Sequence, residues 1–126
     1  MNAKVLLVDD EPTVLKCLAT ALTRFGCSVT AAASGKAAVG LLAQESFDLV
    51  ITDYRMPDLM GDAVVRIIRG SQPAAAILLI TGFVGELPHR LRFGPDAVPV
   101  LTKPFTLAQL KHEMDEVLQP GAAVAG

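Results

Sequence analysis

Phe47-Asp48-Leu49-Val50-Ile51-Thr52-Asp53-Tyr54-Arg55-Met56-Pro57-Asp58-Leu59-Met60-Gly61 is the stretch that decides the fold. Leu49, Val50 and Ile51 are apolar in succession, with no polar alternation. A strand covered on both faces reads this way. The run stops at Asp53, and a loop carrying Pro57 and Gly61 follows. An acid placed there stands at the carboxyl edge of a sheet, where open α/β proteins bind ligands and carry out chemistry.

The same grammar repeats outward from this stretch. Val5-Leu6-Leu7-Val8 is a second solid apolar run, and it ends at Asp9-Asp10. Pro12 then suits the first turn of a helix. Val14, Leu15, Leu18, Ala19, Leu22 and Phe25 recur at helical spacing, and Gly26 closes the helix. Ser28 to Ala32 alternates, as an edge strand does. Ser34 caps a second helix with Ala38, Leu41 and Leu42 inward. A third helix starts at Gly61-Asp62, turns Val64, Val65 and Ile68 inward and Arg66 and Arg69 outward, and ends at Gly70.

Ala76 to Thr81 is another buried strand. Residues 83–95 contain Gly85, Pro88, Gly94 and Pro95, so any helix there is short or loose. Val98 to Leu101 is a fifth strand, and Pro99 puts it at an edge. Thr106 and Gln109 form a capping box for a last helix striped by Leu107, Leu110, Met114, Val117 and Leu118. Pro120-Gly121 stops it. Strand and helix alternate five times, which predicts a parallel sheet with helices on both faces. The flavodoxin-like (βα)5 three-layer sandwich, in strand order 2-1-3-4-5, puts the two edge-like strands at the edges.

With 126 residues, 52% hydrophobic and 19% charged, the chain is one globular domain. The expected division is a domain over 1–120 and a tail over 121–126. A net charge of −2 gives no bulk attraction to nucleic acid or an acidic membrane. No apolar run reaches a membrane span, and no signal-peptide core precedes a cleavage site. The expected location is the cytoplasm. Cys17 and Cys27 lack metal-type spacing and read as reduced structural thiols.

In the 2-1-3-4-5 order, four strand ends become neighbours. They carry Asp9 and Asp10, Asp53, Thr81 and Lys103. Taken singly, each is an ordinary turn or cap residue. Together they form a site. Two carboxylates about 4 Å apart repel by roughly 4 kcal/mol at an effective dielectric near 20. Such a cluster holds either protons or a cation, and Mg2+ takes hard oxygen ligands. Lysine and a hydroxyl add the groups that phosphoryl transfer needs, and aspartate can act as the nucleophile.

On these residues the sequence resembles the receiver domain of two-component response regulators, over residues 4 to 118. The matching motifs are Val8-Asp9-Asp10-Glu11-Pro12, Thr52 to Pro57 with Gly61, Thr81-Gly82 and Lys103-Pro104-Phe105. The resemblance implies a Mg2+-dependent phosphoacceptor, Asp53. Its donor would be a phosphohistidine on a histidine kinase or histidine phosphotransfer protein. Asp10, Asp53 and the backbone carbonyl of Arg55 would hold the ion, with Asp9 acting indirectly. Thr81 and Lys103 would bind the phosphoryl group. The domain would promote its own phosphorylation and dephosphorylation without being an enzyme.

Output would pass by protein contact to a partner the sequence does not name, with phosphorylation-dependent homodimerisation left open. The surfaces expected to carry it are the first helix near the site and the face of the fourth helix, fifth strand and fifth helix. Because the chain ends soon after its last helix, the expectation is a stand-alone regulator, a relay intermediate or the receiver of a hybrid kinase. Residues 100–107 are similar to the terminal receivers of hybrid kinases.

Two departures from the family pattern bear on the switch. Val100 stands where an aromatic ring usually pairs with Thr81. A β-branched aliphatic side chain has few rotamers and no hydroxyl. Ordering of residues 83–95 is therefore the expected readout. In the family the side chains at the positions of Arg55 and Phe83 flank the path of attacking water, so the resemblance implies a pairing role for Arg55, shielding by Phe83 and slow dephosphorylation. The alternative is a haloacid-dehalogenase-like phosphatase with Asp9 as nucleophile. It has Glu11 where a second Asp is wanted, and it leaves Asp53 without a role.

Overall fold

A computed structural model of the protein describes residues 2–118. The expected tail over 121–126, the end of the 1–120 domain and the helix stop at Pro120-Gly121 lie outside the described residues. Five parallel strands form one sheet: β1 Lys4–Val8, β2 Ser28–Ala32, β3 Leu49–Asp53, β4 Ala76–Thr81 and β5 Val100–Thr102. Their order is β2-β1-β3-β4-β5, as the sequence predicts. The helices are α1 Pro12–Arg24, α2 Gly35–Gln44, α3 Gly61–Ser71, α4 His89–Arg92 and α5 Leu107–Leu118, with a 3-10 turn over Val84–Glu86.

The solid apolar runs have a simple cause. Neighbouring strand residues point to opposite faces, and both faces are covered. Leu6, Val8, Val50 and Leu79 pack with Ala38 and Leu42 of α2 and Val64, Val65 and Ile68 of α3. Val5, Leu7, Leu49, Ile51, Leu78 and Ile80 pack with Leu18 and Leu22 of α1 and Leu110 and Met114 of α5. Each fully buried aliphatic side chain contributes about 1.5–3 kcal/mol. All five residues of β3 are buried, Asp53 included.

Local signals set most of the boundaries. Pro12 opens α1. Gly26, at φ +93°, closes it. Gly26 N–H donates to Thr23 O and Cys27 N–H to Leu22 O, the paired bonds of a Schellman motif. The capping box of α5 is complete: Gln109 N–H donates to Thr106 Oγ1 at 3.0 Å, and Thr106 N–H to Gln109 Oε1 at 2.8 Å. The first turn of α2 is satisfied from two places. Ser34 Oγ accepts from Ala37 N–H. Asp58, in the β3–α3 loop, accepts from Gly35 and Lys36 N–H, and these bonds hold its carboxyl below the ordinary carboxylate value.

Two boundaries and one side chain's burial differ from expectation. Helix α3 passes Gly70 and ends at Ser71, with Gln72 as its cap. The Gln72 side chain anchors the turn: its Nε2 donates to Leu42 O and Glu45 O, and its Oε1 accepts from Phe47 N–H. Strand β5 runs Val100–Thr102, not Val98–Leu101. Pro99 has no N–H to give, and Val98 N–H bonds Leu91 O instead. Leu107, expected on the inner stripe of α5, is 54% exposed, while Leu110 and Met114 of the same helix are buried.

The segment after β4 is short-turned, as expected, but it is anchored. Leu87, Leu91 and Val98 are all buried in the α2–α3 side of the core. Cys17 is exposed and Cys27 buried, both as free thiols.

Candidate functional site

Strand register builds the site. Val8 pairs with Thr52, so Asp9 follows level with Asp53. Asp53 pairs with Ile80, so Thr81 comes one step beyond. Thr81 pairs with Thr102, so Lys103 follows in turn. Lys103 N–H bonds Thr81 O at 2.8 Å, and its peptide to Pro104 is cis. Lys103 Nζ reaches over the end of β4 to Asp53 Oδ2 at 3.4 Å and Asp9 Oδ2 at 3.9 Å.

The β3–α3 loop is held tightly against the acceptor strand. Gly61 N–H bonds Tyr54 O at 2.7 Å. A Cβ on Gly61 would lie 2.8 Å from Tyr54 Cα and 3.2 Å from Asp53 O, so this close approach admits only glycine. Met56 and Tyr54 are buried beside it. The Tyr54 hydroxyl is pushed up in pKa by that burial and by nearby Asp62 and Glu86.

Asp9, Asp10 and Asp53 can each offer an oxygen within 4.8 Å of the others. Burial pushes the carboxyls of Asp9 and Asp53 above the ordinary carboxylate value, and Lys103 offsets part of that in each. Asp9 Oδ1 accepts from Glu11 N–H, which ties down the β1–α1 turn. Its Oδ2 is buried without a hydrogen-bond partner. Three acids and one lysine leave a net negative site of hard oxygen donors with an orphaned buried oxygen. That donor set fits a small divalent cation.

The acids open into a cleft of about 710 Å³ lined by Asp10, Asp53, Arg55, Thr81, Glu86 and Lys103 among others. A larger cleft, about 810 Å³, lies at the opposite end of the sheet beside Asn2, Ser46 and Asp48. Among the described residues it gathers no comparable cluster, so size is not the guide here.

The remaining predicted residues fall differently. Thr81 is buried, and its Oγ1 lies 3.1 Å from Glu86 Oε2 and 3.2 Å from Phe83 O. Arg55 turns its side chain outward and bonds Glu86 Oε1 through Nε at 3.2 Å. The Phe83 ring is 67% exposed and lies over Gly85. Val100, the first residue of β5, is half-buried against the α2–α3 side of the core. Sequence reasoning missed Glu86. Its only signal was an acid five residues beyond Thr81, in a stretch whose path could not be read locally.

A doubly wound α/β domain with three acids and a lysine gathered at the carboxyl ends of β1, β3 and β5 is a phosphoryl-signalling architecture. The chain belongs to the response regulator receiver domain family, whose model matches residues 5–115. The transcriptional regulatory protein GlrR of Escherichia coli (strain K12) is 36% identical over 121 residues, covering 95% of this chain and 27% of GlrR. The response regulator receiver protein CpdR of Brucella abortus (strain 2308) is 32% identical over 115 residues, covering 91% of this chain and 96% of CpdR. The chain thus spans about a quarter of one curated relative and nearly all of the other. Among solved structures, the response regulator TrrA of Thermotoga maritima in complex with Mg(2+)-BeF superposes with a TM-score of 0.82. The two are 29% identical over 91% of this chain and 98% of that one.

The phosphatase alternative finds no support. The Asp9 side chain is 2% exposed, which leaves a nucleophile no approach. Among the described residues, no helix is long and apolar enough to cross a membrane.

Proposed function

We propose that Asp53 is the phosphoacceptor of this receiver domain and that the acid cluster holds Mg2+ during transfer. The pairing of Lys103 Nζ with Asp53 Oδ2 at 3.4 Å, within a trio of converging carboxylates, carries this reading. An Asp53 oxygen attacks the phosphorus of a phosphohistidine on a histidine kinase or histidine phosphotransfer protein. The P–N bond breaks, and the imidazole leaves with the bond's electron pair. The ion supplies charge neutralisation on the phosphoryl oxygens.

Asp10, Asp53 and the backbone carbonyl of Arg55 are its proposed ligands. Asp9 acts indirectly, by orienting the β1–α1 turn and raising the negative potential of the site. Lys103 is a long, mobile ammonium suited to follow the charge from the carboxylate to the phosphoryl group. The Thr81 hydroxyl donates to a phosphoryl oxygen once Asp53 is modified. With Val100 in place of an aromatic, the signal passes through residues 83–95 to a protein partner. The proposed domain covers 1–120.

Incubation with phosphoramidate and Mg2+, followed by intact mass, tests the assignment. One base-labile phosphoryl addition is expected in the wild type and none in Asp53→Asn. Equal labelling of the two would reject Asp53.

A further inference from the structure

Glu86 ends the 3-10 turn after β4, and its side chain is only 15% exposed. One of its oxygens takes the Arg55 Nε–H at 3.2 Å, and the other lies 3.1 Å from Thr81 Oγ1. Arg55 lies just beyond Asp53 after β3 and Thr81 ends the neighbouring β4, so one carboxylate joins the loop after the acceptor strand to the end of the strand beside it. All of these residues line the same cleft.

The arrangement excludes a second anion. A hydroxyl has one proton, so Thr81 cannot donate to Glu86 and to a phosphoryl oxygen at once. Arg55 likewise has its Nε–H committed. These are the donor types that phosphate takes with charge-assisted bonds. We infer that Glu86 is a positioning residue that holds the unphosphorylated state: its carboxylate occupies Thr81 and Arg55, and a phosphoryl group on Asp53 must displace it. The inference rests on Asp53 being the acceptor.

Displacement reaches the surface through the chain. Leu87 follows Glu86 directly and is buried, as is Leu91 one turn later. Phe83 and Phe93, on either side of this segment, are 67% and 53% exposed. Release of Glu86, followed by its repulsion from the new dianion, shifts the turn that carries Leu87 and changes how the two rings are presented. A route of this kind needs no aromatic at Val100.

Beryllofluoride with Mg2+, a phosphoryl stand-in, tests the latch by 19F NMR titration of wild type, Glu86→Ala, Glu86→Gln and Asp53→Asn. Glu86→Ala is expected to bind beryllofluoride about five- to tenfold more tightly than wild type, since two charge-assisted donors are freed. Glu86→Gln keeps an acceptor for Thr81 but loses the charge, so it should gain only about two- to threefold. The gain from Glu86→Ala should also shrink in an Arg55→Ala background, because one of the two freed donors is then absent. Wild type that binds specifically, with Glu86 variants no tighter, overturns the latch alone. Wild type that binds no better than Asp53→Asn overturns the acceptor assignment and the latch with it.

Discussion

The ammonium of Lys103 stands 3.4 Å from the carboxylate of Asp53, two strands away in the sheet and 50 residues away in the chain. It also lies 3.9 Å from the otherwise unpartnered oxygen of Asp9. One lysine therefore counters two acids whose burial raises their pKa values.

Replacing that lysine has opposite effects with and without metal. Lys103→Met should destabilise the metal-free domain by about 1–3 kcal/mol, because it leaves two buried carboxylates uncompensated. The same change should tighten Mg2+ binding severalfold by removing a competing cation. Urea unfolding and a Mg2+ titration read the two effects. Weaker Mg2+ binding in Lys103→Met would count against an ion at these acids.

Asp9 gives the pH dependence. Burial, the leading cause, raises the folded pKa of both Asp9 and Asp53 above the ordinary carboxylate value. In that window the folded state binds more protons than the unfolded state, so stability falls as pH rises. Their favourable contribution is fully present below the ordinary carboxylate value and is lost as pH climbs through the raised one. Without Mg2+, Asp9→Asn should flatten that decline and add about 1 kcal/mol at neutral pH. Thermal unfolding across mildly acidic to neutral pH measures the slope. An unchanged slope would mean that Asp9 carries none of it.

Gly61→Ala should disturb the site through the backbone. The added Cβ would meet Tyr54 Cα at 2.8 Å, a contact that neither main-chain segment can relieve by turning a side chain. The expected cost is about 1–3 kcal/mol by the usual penalty for overpacking, with slower labelling of Asp53. Urea unfolding and intact mass report the two losses.

Gln72→Ala separates fold from site. Its side chain makes three hydrogen bonds, to Leu42 O, Glu45 O and Phe47 N–H, near the ends of α2 and α3 away from the acids. Loss of part-buried bonds at about 1 kcal/mol each should lower stability by roughly 2–3 kcal/mol. The rate of Asp53 labelling by phosphoramidate should stay within about twofold of wild type, since no residue of the cleft is touched. A tenfold loss of labelling would show that this turn is coupled to the site.

The misreadings are specific. The β5 boundary slipped because Pro99 marks an edge strand without saying on which side of it pairing begins. Leu107 has the right spacing for the inner stripe of α5, but it is the first residue of the helix and stays exposed. The Asp58 cap of α2 could not be read at all, since the acid lies 22 and 23 residues from the amides it accepts.

Strand character, the caps made by near neighbours and the acids at the strand ends were legible, because each depends on a residue and those close to it in the chain. Solid apolar runs meant two-sided burial. Gly26 and the Thr106–Gln109 pair marked helix ends. Asp9, Asp10, Asp53, Thr81 and Lys103 each closed a run that a parallel sheet must align. Tertiary structure alone decided that Glu86 meets Arg55, 31 residues earlier, and takes the Thr81 hydroxyl with its other oxygen. That contact depends on how an irregular turn crosses the sheet edge. The path is set by Leu87, Leu91 and Val98 finding space in the core, and no local periodicity encodes it.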